Sequence, residues 1–209
     1  MKHEWRKKEK GIYLPKNKPE IIDIPDFKYF TIEGEGNPNS ETFPDYIGVL
    51  YSLSYAVKMS YKKGIEPNDY FDYTVYPLEG VWDIKDYAKK NFTGTINKDD
   101  LIFKLMIRQP DFVDLKFFNL ILKLTKENKP HDLLDLVKFE TIKEGTCVQM
   151  LHLGSYDNEP ESFKIMEDYT IEQRFKRISK IHKEIYLTDA RKTVPEKLKT
   201  VLRFKIVKQ

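Results

Sequence analysis

The chain has 209 residues, of which 40% are hydrophobic and 13% aromatic, so it is long and apolar enough to bury one substantial core. Lysine and arginine total 36 against 33 acidic residues, and the net charge of +3 is a small difference between two interspersed populations. These values exclude a disordered chain and provide no basic field for nucleic acid, which we do not expect as a partner.

The amino terminus is basic and polar. Its first ten residues, MKHEWRKKEK, lack the apolar stretch of roughly 7–15 residues that a signal peptide needs. No apolar run in the sequence approaches the ~20 residues that cross a bilayer, so no membrane partner is expected either. Two glutamates interrupt the basic cluster, and we predict a solvated, partly frayed terminus rather than a functional arm.

Cys147 is the only cysteine, which excludes an internal disulfide and a cysteine-based metal cluster. It stands at the start of an apolar run with no evident activating partner, so we interpret it as a buried structural thiol. Together with the polar amino terminus, this favours a cytoplasmic protein.

The sequence of the first half predicts four elements in order. They are a strand with a loop over residues 21–40, a helix over 43–64 and two strands over 69–83 and 101–110. Alternation around Tyr29 indicates the first strand, and apolar residues three and four apart indicate the helix. Aromatic and β-branched residues indicate the other two strands, the earlier one kinked at Pro77 and Gly80.

From Phe139 onward a similar order returns. The sequence predicts a strand over residues 146–156, a helix over 158–175 and a strand over 182–189. A short helical turn over 193–196 and a strand over 200–208 follow. Pro160 falls in the first turn of the helix, and Thr193 and Glu196 have the spacing of a capping box. A further helix over about 114–128 either packs on the first half or connects the two halves.

This repeated order predicts an α+β fold made of two pseudo-symmetric strand-helix-strand-strand modules within a single domain, residues 1–209. The halves are expected at about 22–112 and 139–209. Such modules can join antiparallel sheets, place their helices on one face and leave the opposite face open as a ligand groove.

Four segments carry a resemblance to a known family. They are PLEGVWD at 77–83, LMIRQPDFV at 105–113, EGTCVQMLHLGSYDNEP at 144–160 and HKEIYLTDARKTVPEKLKTVLR at 182–203. In this order they resemble the GyrI-like small-molecule-binding family, specifically its free-standing subfamily, and four ordered motifs are far more specific than one short pattern.

The resemblance implies two fused strand-helix-strand-strand modules that bind bulky, apolar, often cationic or polycyclic compounds between them. Some free-standing members are similar to cyclopropanoid cyclopropyl hydrolases, which open the cyclopropane ring of DNA-alkylating natural products with water. No metal-ligand spacing, phosphate loop or serine-histidine-aspartate pattern emerges from the residues, so we expect no metal and no cofactor.

Glu184 is the candidate catalytic residue. It lies in an apolar strand, two positions from Tyr186 on the same face, where an ionised carboxylate is costly unless it is paired or hydrogen-bonded. It either attracts a cationic ligand or activates water for attack on a strained ring. The alternative is a strand glutamate paired with Lys183 or Arg203.

The candidate ligand-binding residues are mostly aromatic. Trp82 offers a flat wall for rings and cations, and Tyr55, Tyr156 and Tyr186 are further aromatic candidates. Tyr156 lies at a strand-to-helix turn, a position where loops often carry function.

Three other side chains complete the candidate groove: Glu79, His152 and Met106. Glu79 points into it only if Gly80 introduces a bulge, and His152 is either an acid or base or a structural strand histidine. Arg108, on the strand face of Met106, either pairs with Glu184 or stays solvated. His182 resembles one of a pair of histidines in the family, but the second position here is Lys183.

The sequence therefore leaves three hypotheses. In the first, an aromatic cage holds a polycyclic alkylator while Glu184 directs water to its cyclopropane. In the second, the protein sequesters xenobiotics without turnover. A third is a protein-interaction role, such as shielding gyrase.

Overall fold

The computed structural model describes residues 2–91, 94 and 96–209. Its strands are β1 Glu20–Ile24, β2 Phe27–Glu35, β3 Leu78–Ile84, β4 Leu101–Gln109, β5 Lys138–Ile142, β6 Gly145–Leu153, β7 Phe175–Arg177, β8 His182–Tyr186 and β9 Lys199–Lys208. Its helices are α1 Trp5–Lys8, α2 Lys10–Tyr13, α3 Phe43–Lys58, α4 Asp86–Lys90, α5 Leu115–Asn128 and α6 Glu159–Glu172. These helices and the antiparallel pairing of the strands confirm the predicted α+β fold class.

The chain divides into two compact units. Unit 1 comprises Met1–His3, Phe27–Leu78 and Trp82–Ile142, and unit 2 comprises Glu4–Asp26, Glu79–Val81 and Lys143–Gln209. The units differ from the predicted halves. Strand β1 and residues 79–81 of β3 belong to unit 2, and β5 belongs to unit 1. Helix α5 also belongs to unit 1, which agrees with the alternative that it packs on the first half.

Unit 1 is built around β2, which pairs antiparallel with β4 on one side and with β5 on the other. Helix α3 packs on β2, β4 and α5, and its apolar face contributes the fully buried Leu50 and Leu53. Helix α5 begins where predicted, because the side chain of Asp114 accepts a hydrogen bond from the backbone N–H of Phe117 at 2.7 Å.

Two strand predictions in the first half were wrong in extent. Residues 69–83 were expected to form one kinked strand, but only the strand from Leu78 is regular, and the preceding stretch has an isolated bridge between Tyr73 and His3. The aromatic side chains of this stretch pack against other rings instead. The ring centroids of Phe71 and Phe112 are 5.3 Å apart, in an edge-to-face arrangement. Residues 21–40 were expected to form one strand followed by a loop. The strand is divided into β1 and β2, because Pro25 lies between them and lacks the N–H that a continuous ladder needs.

Four strands of unit 2 lie side by side in the order β1-β6-β9-β8. A further strand, β7, pairs with the far end of β9. Short strands β5 and β7 had not been predicted. Residues 173–175 were expected to continue the helix, but α6 ends at Glu172 and Arg174 adopts a left-handed φ of 60°, which reverses the chain into β7.

The register of unit 2 separates its side chains onto two faces. Met150, Leu202 and Glu184 are directly opposite one another on β6, β9 and β8, and the first two pack with Met166 of α6. Residues one position along each strand point to the opposite face. Glu184 therefore projects on the side of the sheet that carries α6.

The other face of unit 2 is covered by the amino-terminal segment. Arg203 and Gln149 donate hydrogen bonds of 2.7 Å to the carbonyl oxygens of Ile12 and Gly11, respectively. Trp5 and Tyr13 are 3% and 1% exposed, with ring centroids 5.2 Å apart. The prediction of a frayed terminus was wrong, and the face of unit 2 expected to be an open groove is covered here.

Candidate functional site

Three alternate residues of β8 form one side of the candidate site. His182, Glu184 and Tyr186 share a face because side chains alternate along a strand. Glu184 is 8% exposed, whereas His182 and Tyr186 are partly exposed. The strand thus holds a buried carboxyl group between two accessible rings.

Glu159, in the first turn of α6, supplies a second carboxyl group. It is 6% exposed and hydrogen-bonded to Glu184. Burial, followed by the negative charge of Glu184, raises the pKa of Glu159 well above its ordinary value of 4.5. Glu159 therefore keeps its proton to a higher pH than an exposed glutamate does.

His182 contacts the same carboxylate. Its Nε2 lies 3.1 Å from Oε1 of Glu184, and its Nδ1 lies 3.3 Å from the carbonyl oxygen of Lys180. A carbonyl oxygen only accepts hydrogen bonds, so Nδ1 carries a hydrogen. The imidazole ring packs against Phe163 of α6 at 4.7 Å, which fixes its plane.

Two tyrosines lie beside the carboxyl pair. The rings of Tyr156 and Tyr186 are 6.1 Å apart and nearly perpendicular. Burial, followed by the nearby charge of Glu184, raises the pKa of Tyr156 to about 12, so its hydroxyl stays protonated at neutral pH. Of the predicted site residues, the structure therefore brings together Glu184, Tyr156 and Tyr186.

A separate ion network occupies the opposite face of unit 2. Lys183 Nζ donates to Glu79 Oε2 at 2.8 Å and to Glu144 Oε1 at 2.5 Å, and Arg203 Nη1 lies 3.4 Å from Glu144 Oε2. Burial raises the pKa of Glu144, but the charges of Lys183 and Arg203 outweigh it and hold that pKa at about 2. The alternative that pairs Glu184 with Lys183 or Arg203 was wrong, since both project on the other face.

Three predicted ligand-binding residues are buried by the protein itself. Glu79 is 1% exposed and bonded to Lys183, and Met106 has no exposed surface within the core of unit 1. His152 is also buried, with Nδ1 2.9 Å from Ser162 Oγ and Nε2 3.0 Å from the carbonyl oxygen of Ser155. As ligand-binding residues, these three stay predictions.

Cys147 has the structural role that was predicted. Its side chain is 1% exposed. Burial, with a smaller contribution from the charge of Glu144, raises the pKa of its thiol to about 11. Such a thiol stays protonated and unreactive at neutral pH.

The remaining candidates belong to unit 1. Trp82 is 6% exposed and packs against the rings of Phe43 and Phe103, at 6.1 and 5.5 Å. Tyr55, on α3, is 52% exposed. As ligand-binding residues, both stay predictions.

Arg108 of unit 1 is buried, so the solvated alternative was wrong. Its guanidinium carbon lies 3.4 Å from the ring centroid of Phe27 and 4.5 Å from that of Tyr76. Its pairing with Glu184 stays a prediction.

Sequence reasoning missed Glu159. The residue falls within the segment 144–160 that resembles the family, but an acid in the first turn of a helix is ordinary because it complements the helix dipole. Only the packing of α6 against β8 shows that this acid meets Glu184. The available signal was the Glu-Pro pair at 159–160, which follows the Gly-Ser-Tyr turn after two further residues.

Within the described part of the chain, no helix is both long and apolar enough to span a bilayer.

The model of the GyrI-like small molecule binding domain matches residues 17–207. No curated protein matches the sequence.

Two crystal structures from Listeria innocua are similar over almost the whole chain. A hydrolase is 31% identical with a TM-score of 0.88, and an uncharacterised conserved protein is 32% identical with a TM-score of 0.86. In both comparisons 99% of this chain and 100% of the other chain are covered. The crystal structure of the EcmrR C-terminal domain is 12% identical, with a TM-score of 0.56. The comparison covers 95% of this chain and 99% of that domain, and it shows a similar fold only. The chain belongs to the GyrI-like small-molecule-binding family.

Proposed function

We propose that the chain binds bulky apolar or cationic compounds beside β8 and hydrolyses the cyclopropane ring of DNA-alkylating natural products, with Glu184 as general base. The observation that carries this proposal is the hydrogen-bonded, buried pair of Glu184 and Glu159, in which the pKa of Glu159 is raised well above its ordinary value. Two carboxyl groups held in different protonation states are a common arrangement for acid–base chemistry. The 31% identity to a hydrolase from Listeria innocua supports a hydrolytic reaction.

In the proposed reaction, Glu184 accepts a proton from a water molecule as the water oxygen attacks the ring methylene. The new C–O bond forms while one C–C bond of the cyclopropane breaks, and its electron pair passes to the conjugated acceptor group of the ligand. That group then takes a proton from solvent, and Glu184 returns its own proton to solvent. The net change is addition of one water molecule, with no oxidant or reductant.

The neighbouring residues favour this step in two ways. Glu159 donates its hydrogen bond to Glu184 and so fixes the carboxylate orientation. The faces of Tyr156 and Tyr186 provide aromatic surface for a polycyclic ligand and stabilise positive charge at the ring carbon under attack. General base catalysis contributes roughly 10²–10⁴-fold in rate.

The test incubates the protein with a cyclopropane-bearing alkylator in large molar excess and follows the water adduct by mass spectrometry. We expect several adducts per chain and a rate above that of buffer. A rate equal to that of buffer would overturn the hydrolytic function. Glu161→Gln, which changes an exposed glutamate of the same helical turn, should retain the wild-type rate and control for the loss of one acid.

Sequestration without turnover is the second candidate, and the family's description as a binding domain favours it. In that case the protein protects against the alkylator only up to one equivalent, and the intact ligand is recovered on denaturation. Multiple turnovers would exclude this function.

A further inference from the structure

Three potential metal ligands converge between β8 and the start of α6. A carboxylate oxygen of Glu159, a carboxylate oxygen of Glu184 and a ring nitrogen of His182 all lie within 4.8 Å of one another. The two carboxyl groups are buried, and the imidazole is partly exposed. An ion can therefore approach from the histidine side and bind to groups that are shielded from water.

Glu159 provides an independent indication of a ligand. Its Oε1 is buried and has no hydrogen-bond partner among the residues the structure describes. A buried carboxylate oxygen without a partner is costly, because its desolvation is not compensated. The side chain is 94% buried, as its 6% exposure shows, and it extends into the cluster rather than toward solvent.

The orientation of His182 also suits a metal. Its Nδ1–H donates to the carbonyl oxygen of Lys180, and in the neutral ring this leaves the lone pair of Nε2 directed at Glu184. Metal-binding histidines usually donate their second ring N–H to a carbonyl or carboxylate in this way, which fixes the tautomer. Nε2 lies 3.1 Å from Oε1 of Glu184, so both atoms can bind one shared cation.

We propose that Glu159, His182 and Glu184 form a binding site for a zinc ion, with a fourth position open to solvent. One imidazole nitrogen and two carboxylate oxygens are ordinary zinc ligands. Glu159 releases its proton to solvent when the ion binds, and the two carboxylates then balance the charge of the divalent ion. Calcium and magnesium favour all-oxygen sites of higher coordination number, so they should bind here weakly. The sequence shows no metal-ligand spacing because the ligands come from two distant segments.

Zinc at this site would regulate the proposed hydrolysis. A zinc-bound Glu184 oxygen cannot also accept a proton from the attacking water, so the ion should inhibit turnover. This consequence rests on the proposed function, whereas the metal site does not. Binding measured without any organic ligand separates the two, since zinc can bind even if the protein hydrolyses nothing.

The experiment titrates the metal-free protein with Zn²⁺ in competition with a chromogenic chelator. Glu159→Gln, His182→Ala and Glu184→Gln should each lower zinc affinity at least about 100-fold, since losses of outer hydrogen-bond partners already cost roughly 10–100-fold. Glu159→Gln is the variant least prone to misfold, because its amide can donate to Glu184 as the neutral acid does. His131→Ala, which removes a histidine of unit 1, should bind zinc like the wild type.

The site would be refuted by equal zinc affinity in the wild type and the three variants, or by calcium binding as tight as zinc binding. Circular dichroism and thermal melts identify any variant that has lost its fold. For turnover, zinc should lower the wild-type rate. An unchanged or higher rate with zinc bound would refute the inhibitory role and leave the binding site in place.

Discussion

Glu159 and Glu184 are hydrogen-bonded to each other although they lie on different elements, the first turn of α6 and the middle of β8. A buried carboxyl pair of this kind is stable when the two groups share one proton, because two adjacent charges would repel in a medium of low dielectric constant. In the proposed reaction Glu184 is the proton acceptor, and Glu159 keeps it in position. This relationship is the basis of the catalytic prediction.

Glu184→Gln should reduce turnover of a cyclopropane-bearing alkylator by roughly 10²–10⁴-fold, because an amide cannot accept the proton of the attacking water. Ligand affinity should change much less, because the aromatic side chains that hold the ligand are retained. Steady-state kinetics and equilibrium binding on the same variant separate the two effects. A variant that turns over at the wild-type rate would remove Glu184 from the mechanism.

Lys183→Met should lower the free energy of unfolding by roughly 3–5 kcal/mol, because it leaves the buried carboxylates of Glu79 and Glu144 without their shared cation. Urea denaturation measures this loss. The double variant Lys183→Met/Glu79→Gln should recover part of it, since the buried charge of Glu79 is removed while Glu144 keeps its contact with Arg203. Lys176→Met, at an exposed position of β7, is the matched control and should stay within about 0.5 kcal/mol of wild type.

The stability of the protein should fall in acid partly through Glu144. Its pKa is about 2 in the folded protein and near 4.5 when unfolded, so the unfolded state binds the proton more tightly. This stabilisation is complete above pH 4.5 and is lost as the pH falls toward 2. It amounts to roughly 3 kcal/mol at most. Urea unfolding of Glu144→Gln should show a weaker pH dependence over this window, and an unchanged slope would contradict the assignment.

Much of the fold was predictable from local patterns. Apolar spacing predicted α3, Pro160 indicated the first turn of α6, and Asp114 lies at the start of α5. The split between β1 and β2 was not predicted, although Pro25 indicates it, because alternation continues on both sides of the proline. The aromatic stretch before β3 looked like a strand since tyrosine and phenylalanine favour strands, but here the rings pack against one another.

The site was only partly predictable. Alternation along β8 correctly placed Glu184 and Tyr186 on one face, whereas Glu79 and Met106 were assigned to a groove although tertiary packing buries them. Local sequence contains no information on which distant carboxyl group meets Glu184. The burial of Trp5 was not predictable either, because the basic composition around it is typical of a solvated terminus.

Trp5→Ala tests whether the amino-terminal segment is an integral part of unit 2. The indole is 3% exposed and packs on Tyr13, in the segment whose backbone carbonyls accept hydrogen bonds from Gln149 and Arg203. Removing it should cost roughly 3–5 kcal/mol of unfolding free energy, the usual range for truncating a buried tryptophan. Lys8→Ala, at an exposed position of the same segment, should have little effect. If both variants unfold at the wild-type urea concentration, the segment does not contribute to the stability of unit 2, and the polar groups of Gln149 and Arg203 must be satisfied in another way.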